Sequence, residues 1–153
     1  MKVLKIMLLA VILLGGILAL NACQSINSPL EDYNWILTLW GRGGEQVKLV
    51  PDTQITAYFN GKDNTVSGSS GCNQYSGTYK VDGLTLTINK DISITEMFCN
   101  DEKNGQEGRF LNALKAATSF KMDHGNLIIY CGMDTLQFKR DNASTKTITQ
   151  WGE

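Results

Sequence analysis

The stretch Val66–Tyr79, VSGSSGCNQYSGTY, concentrates the residue types that carry chemistry: serines, a cysteine and closely spaced glycines. A serine nucleophile elbow needs G-x-S-x-G on a turn between a strand and a helix. Gly68-Ser69-Ser70-Gly71-Cys72 places a cysteine where the final glycine belongs, and Gly77–Val81 reads as a strand. No G-x-x-x-x-G-K-[ST] run exists to cradle a phosphate. A nest of backbone N–H groups for an anion would be better served by a helix start, and none follows. The glycines instead suit a tight bend or bulge where two strands cross closely. A hydrolase built on Ser69 or Ser70 would also need a base, and His124 is the only histidine. It lies in Asp123-His124-Gly125-Asn126, which reads as a solvated hairpin turn. Glu96 reads as a surface position, and no pair of carboxylates has a catalytic spacing. Four cysteines without a C-x-x-C, beside one histidine, disfavour zinc. The expectation is no catalytic residue, no metal and no cofactor.

The elements that would carry this loop begin beyond an export signal. Lys2 and Lys5 precede Ile6–Leu20, an apolar run too short for a comfortable bilayer span of about 20 residues but suited to a secretory leader. Leu20-Asn21-Ala22-Cys23 resembles the lipobox of bacterial lipoproteins, which implies residues 1–22 as signal peptide and Cys23 as the lipid-modified first residue. Two acyl chains anchor stably where one does not, at about 0.8 kcal/mol per buried methylene. Gln24 in place of Asp favours the outer membrane if the cell is Gram-negative. The expected partner at that end is membrane lipid.

Loss of Lys2 and Lys5 would move the formal net charge from −1 to −3. With no Lys/Arg cluster, nucleic acid is not expected as a partner. Residues 23–34 read as anchor and polar tether, 35–140 as one domain, and 141–153, with Trp151, as a polar tail. Within the domain, period-two alternation marks strands. Trp35, Leu37 and Leu39 alternate with Ile36, Thr38 and Trp40. Ile55, Ala57 and Phe59 form a second set, and Leu84, Leu86 and Ile88 a third. Asn60-Gly61, Asp82-Gly83, Gly125-Asn126 and Gly132-Met133-Asp134 supply turns. The period changes once: Phe110, Leu111, Leu114 and Ala117 predict an amphipathic helix at about 106–118. Gly105 and Gly108 weaken its start, and Asp101, Glu102 and Lys103 read as a solvated loop before it. The fold class is α+β, mostly antiparallel β with one helix.

VSGSSGCNQYSGTY resembles the G-x-x-G-C-N-x-[apolar]-x-G-x-Y signature of the META domain, HslJ-like, family. Trp35-Ile36-Leu37 resembles the family's opening W-x-L. Thr95-Glu96-Met97-Phe98-Cys99 resembles its T-x-M-x-C, and Glu107–Leu114 its helix. Leu127–Phe138 resembles its closing strands. The resemblance implies a cracked antiparallel β-barrel with one helix. It implies structural roles for Trp35, Gly68, Gly71, Asn73, Gly77, Tyr79, Thr95 and Met97, and a Cys72–Cys99 disulfide. From the residues alone, two buried thiols, or pairing of Cys131 with either, stay open; Cys131 is in phase with Leu127 and Ile129 and reads as a small core residue. The resemblance further implies a non-catalytic envelope protein of stress response or homeostasis that binds an unknown envelope protein or hydrophobic ligand. The alternative is a pilot-like carrier with lipid or an amphipathic peptide inside the barrel. Aromatic spacing cannot distinguish a filled barrel from a hollow one.

Overall fold

The computed structural model describes residues 28–142. The leader, Cys23 and the tail residues from 143, Trp151 included, lie outside the described residues. The strands are β1 (Asn34–Arg42), β2 (Glu45–Gln46), β3 (Thr56–Asn60), β4 (Thr65–Ser69), β5 (Gln74–Asp82), β6 (Thr85–Ile88), β7 (Ser93–Ile94), β8 (Ser119–Asp123), β9 (Asn126–Cys131) and β10 (Asp134–Arg140). A helix, α1 (Asp101–Lys115), lies between β7 and β8.

All pairings are antiparallel, and neighbours run in the order β10-β9-β8-β6-β5-β4-β3-β1-β2. Pairing of β10 with β1, from Trp35↔Arg140 to Arg42↔Asp134, closes the ring. The ring is uneven. Only Thr85↔Ser119 registers as a pair between β6 and β8, so the barrel is cracked along that seam.

The strand pattern holds for Ile55, Ala57, Phe59, Leu86 and Ile88, all buried. It fails at two places, for local reasons. Between Leu37 and Leu39 the register against β10 shifts. One inserted residue reverses the side-chain alternation beyond it, so Leu39 is 38% exposed while Trp40 is 1% exposed. Leu84 falls in the β5–β6 turn and points outward.

Helix α1 starts earlier than expected. Asn100 caps it, its side chain accepting from the Lys103 N–H at 2.8 Å. Asp101 and Glu102 occupy the first turn, where carboxylates face the positive end of the helix dipole. They are helical and not a preceding loop. Gly105 and Gly108 are tolerated in the chain's interior turns, each on an open face with no atom within 4 Å of a would-be Cβ. The helix ends at Lys115, before the expected 118, because Ser119 already enters β8.

Phe110, Leu111, Ala113 and Leu114 turn inward. Phe110 meets Trp40 and Tyr75 edge-on, with ring centroids 6.4 and 5.7 Å apart. Trp35, Trp40, Phe59, Phe110, Phe120 and Phe138 are among the largest fully buried side chains. The barrel interior is therefore occupied by its own aromatics.

The folded unit reaches back before Trp35. Leu30 is fully buried, and its carbonyl accepts the Trp35 indole N–H at 2.8 Å. The Glu31 carboxylate lies against Gly61 and accepts from the Tyr79 hydroxyl at 2.8 Å. Ser28–Asn34 are thus part of the domain, not tether. The Asp141 N–H donates to Asn34 O at 2.8 Å, so both ends of the described chain lie at the β3–β4 turn end of the barrel. Helix α1 closes the other.

Candidate functional site

The Gly-rich loop joins β4 to β5 at the helix end, and its shape follows from two glycines. At Gly68 a Cβ would stand 2.2 Å from Thr56 O, so only a hydrogen fits where β3 passes. Gly71 has φ +98°, and a Cβ there would meet Gln106 Nε2 at 2.9 Å. Gly77 faces Ile92 more loosely, with Cγ1 at 3.1 Å from a would-be Cβ.

This bend turns Ser70 and Asn73 inward, onto α1. Ser70 is fully buried and Asn73 is 3% exposed. Glu107, 7% exposed, projects from the first half of α1 to meet them. The Asn73 N–H donates to Glu107 Oε2 at 3.0 Å, and Nδ2 donates to Glu107 Oε1 at 3.0 Å. The Ser70 hydroxyl lies between Asn73 O, 2.8 Å away, and Glu107 Oε2, with which it makes a short contact. A carboxylate at this depth is tolerable because donors surround it.

Asn73 also faces the segment beyond β7. Its Nδ2 donates to Met97 O at 3.0 Å. Its Oδ1 accepts from Met97 N–H and from the Thr95 hydroxyl, each at 2.8 Å. Both amide donors and both acceptor positions are used. The Thr95 hydroxyl accepts from the Gln74 N–H at 3.1 Å. Cys72 and Cys99 are disulfide-bonded, with Cα atoms 6.1 Å apart. Asn100 then caps α1. One loop, one extended segment and one helix start are thereby tied together.

The residues singled out from sequence fall into three places. Gly68, Gly71, Asn73, Thr95, Met97, Cys72 and Cys99 converge here, Met97 through its backbone alone, since its side chain is 62% exposed. Gly77 lies on β5, away from the hub. Trp35 and Tyr79 belong to the core at the opposite end. Burial, and then the bond to Glu31, raises the Tyr79 hydroxyl above its ordinary pKa; burial does the same for Tyr75. Ser70, Gln106 and Glu107 are the functional side chains that sequence reasoning missed in this role. Gln106 is 1% exposed, accepts from Val50 N–H at 2.7 Å and donates to Thr53 Oγ1 at 3.0 Å. The signal was present for Glu107: it precedes Phe110 and Leu111 at helical spacing, a carboxylate on the apolar stripe.

Chemically, the hub holds and does not present. The Ser70 hydroxyl is enclosed. His124 is exposed at the β8–β9 turn with φ 48°, its Nδ1 2.7 Å from Asp123 Oδ1, and makes no hydrogen bond to a serine. Cys131 is a buried free thiol whose pKa burial pushes up to about 12, with Asp134 adding to the shift, so it is not a thiolate near neutral pH. Among the described residues no group of His, Cys, Asp or Glu has metal-binding geometry. Open surface grooves of about 470 Å³ (Lys48–Pro51, Asp101, Glu102, Gly105, Arg109) and about 350 Å³ (around Arg42, Asn112 and Asp134) flank α1.

A cracked, helix-closed antiparallel barrel with a G-C-N loop bonded to the helix defines a recognisable domain class. The profile of the META domain family matches residues 28–143, and the chain belongs to that family. An NMR structure of a protein from Burkholderia xenovorans is similar at 27% identity and TM-score 0.62, over 75% of this chain and 89% of that one. A second NMR structure shares 25% identity with TM-score 0.55, over 73% and 93% of the two chains. A duf4847 family protein from Bacteroides vulgatus, 17% identical with TM-score 0.53 over 73% and 94%, shares the fold. No curated protein matches the sequence.

Proposed function

We propose that this META-family protein is a lipoprotein of the bacterial cell envelope that acts by binding a partner, in stress response or homeostasis, and not by catalysis. The observation that carries this reading is the fate of the motif residues. The serines, the asparagine and the cysteine of the G-C-N loop are engaged in internal bonds: half-buried Ser69 accepts from the Gly71 N–H, Ser70 and Asn73 bond Glu107, and Cys72 is joined to Cys99. A carrier with lipid or a peptide inside the barrel would need the space that Trp35, Trp40, Phe59 and Phe110 occupy.

Anchoring rests on the leader Lys2–Leu20 and on Leu20-Asn21-Ala22-Cys23. Gln24 after the anchor directs it to the outer membrane in a Gram-negative cell. The test is Cys23→Ser. The natural chain pellets with membranes through a salt wash and carries a diacylglyceryl mass at Cys23; the variant is soluble and unacylated. Membrane association that survives the substitution rejects the anchor.

A further inference from the structure

Three consecutive features hold the segment 95–100 in one conformation: Asn73 bonds the backbone of Met97 and the Thr95 side chain, Cys99 is covalently tied to Cys72, and Asn100 caps α1. Yet this rigid segment points two large apolar side chains at solvent. Phe98 is 77% exposed and Met97 62%, and Ile94 on the neighbouring β7 is 45% exposed. Isolated exposed apolar residues need no explanation, but two large ones adjacent in sequence on a cross-linked loop, with a third on the strand just before it, suit a contact surface. Order matters here, because a fixed loop has little entropy left to lose on binding.

The surroundings select the occupant. Glu96, Asp101 and Glu102 flank the pair in sequence, all exposed, with Lys103 the one cation from Ile94 to Lys103. The salt bridges among the described residues involve none of the three carboxylates, although Asp101 and Glu102 also line a groove with Lys48 and Arg109. The patch is thus an apolar knuckle with an acidic rim. An anionic membrane would repel it, and it sits at the helix end, opposite Ser28, from which the chain leads back towards Cys23. A second copy of this chain would set acidic rim against acidic rim. We infer that Met97 and Phe98 are the docking knuckle for a partner protein, seating in an apolar pocket bordered by lysine or arginine. This rests on the partner-binding reading above and assigns that partner its site and its surface chemistry.

The test places a photo-activatable phenylalanine analogue at Phe98 in the full-length protein in cells, with the same probe at Leu84, 65% exposed on the β5–β6 turn, for comparison. Position 98 is expected to yield one discrete protein adduct that position 84 does not. Combined Glu96→Gln, Asp101→Asn and Glu102→Gln is expected to remove it. With the adducted protein purified, Phe98→Ala weakens binding about tenfold or more. The triple variant slows association severalfold at about 0.1 M salt and has no effect at about 1 M. Phe98→Ala contacts solvent, so an unchanged thermal midpoint separates lost docking from lost folding. An adduct indifferent to the charge variants, an adduct of two copies of this chain, Phe98-dependent binding to phosphatidylcholine–phosphatidylglycerol vesicles, or no adduct each overturns the inference. Failure of the anchor is read separately, from Cys23→Ser fractionation, which does not depend on position 98.

Discussion

At the scale of the residue, Asn73 explains why its loop needs an amide. It donates twice through Nδ2, to Glu107 and Met97, and accepts twice at Oδ1, from Thr95 and Met97. No other side chain of this size offers two donors and two acceptors. Asn73→Ala leaves buried partners unpaired and is expected to lower unfolding free energy by about 3 kcal/mol in urea titration. Asn73→Asp keeps the shape but replaces the donors with an oxygen facing Glu107, and is expected to be at least as destabilising. If Asn73→Asp unfolds at the natural midpoint, the amide's donors have no role in stability. G-C-N was legible as a motif; that its asparagine bonds across to Glu107 was not, because thirty-odd intervening residues have to fold before the two meet.

At the scale of the element, the disulfide and the helix cap act on one short connection. Cys72 and Cys99 are 27 residues apart, and closing such a loop contributes about 3.5 kcal/mol in the chain-entropy model. Reduction is expected to lower the urea midpoint of the natural protein to that of the Cys72→Ser/Cys99→Ser variant, and to leave the variant unmoved. A variant that loses stability beyond the reduced natural protein would show that sulfur packing, not the crosslink, is the main contribution. The helix itself was legible from the spacing of Phe110, Leu111 and Leu114. Its start was misplaced because two glycines weighed more heavily than the Asn100-Asp101-Glu102 cap. In the fold those glycines face open space and cost only propensity, while the cap satisfies backbone donors that would otherwise lack partners.

At the scale of the whole molecule, closure is unequal around the ring. The β1–β10 pairing extends along both strands, whereas β6 and β8 share one registered pair, supplemented by Leu86 N–H to Thr118 O at 3.1 Å and Phe120 N–H to Leu84 O at 3.0 Å. Local opening follows the weakest contacts. Native-state amide exchange is expected to be slowest in β1 and β10, with Leu86 and Phe120 amides exchanging well before them; uniform protection around the ring would refute a seam.

Legible in the residues alone were the strand-rich class, a helix around Phe110–Leu114, the turns and the family, because these depend on periods of two and 3.6 and on glycines that local geometry demands. Pairing of Cys72 with Cys99 came with the family resemblance. Tertiary structure alone decided that Trp40 and not Leu39 enters the core, since a bulge appears only when two strands are laid together. It decided that Ser70 and Glu107 are buried partners and that the barrel is filled. It also decided that Met97 and Phe98 stand outside. A residue's type sets what it can do, but exposure depends on which distant segments fold over it, and that information is not local.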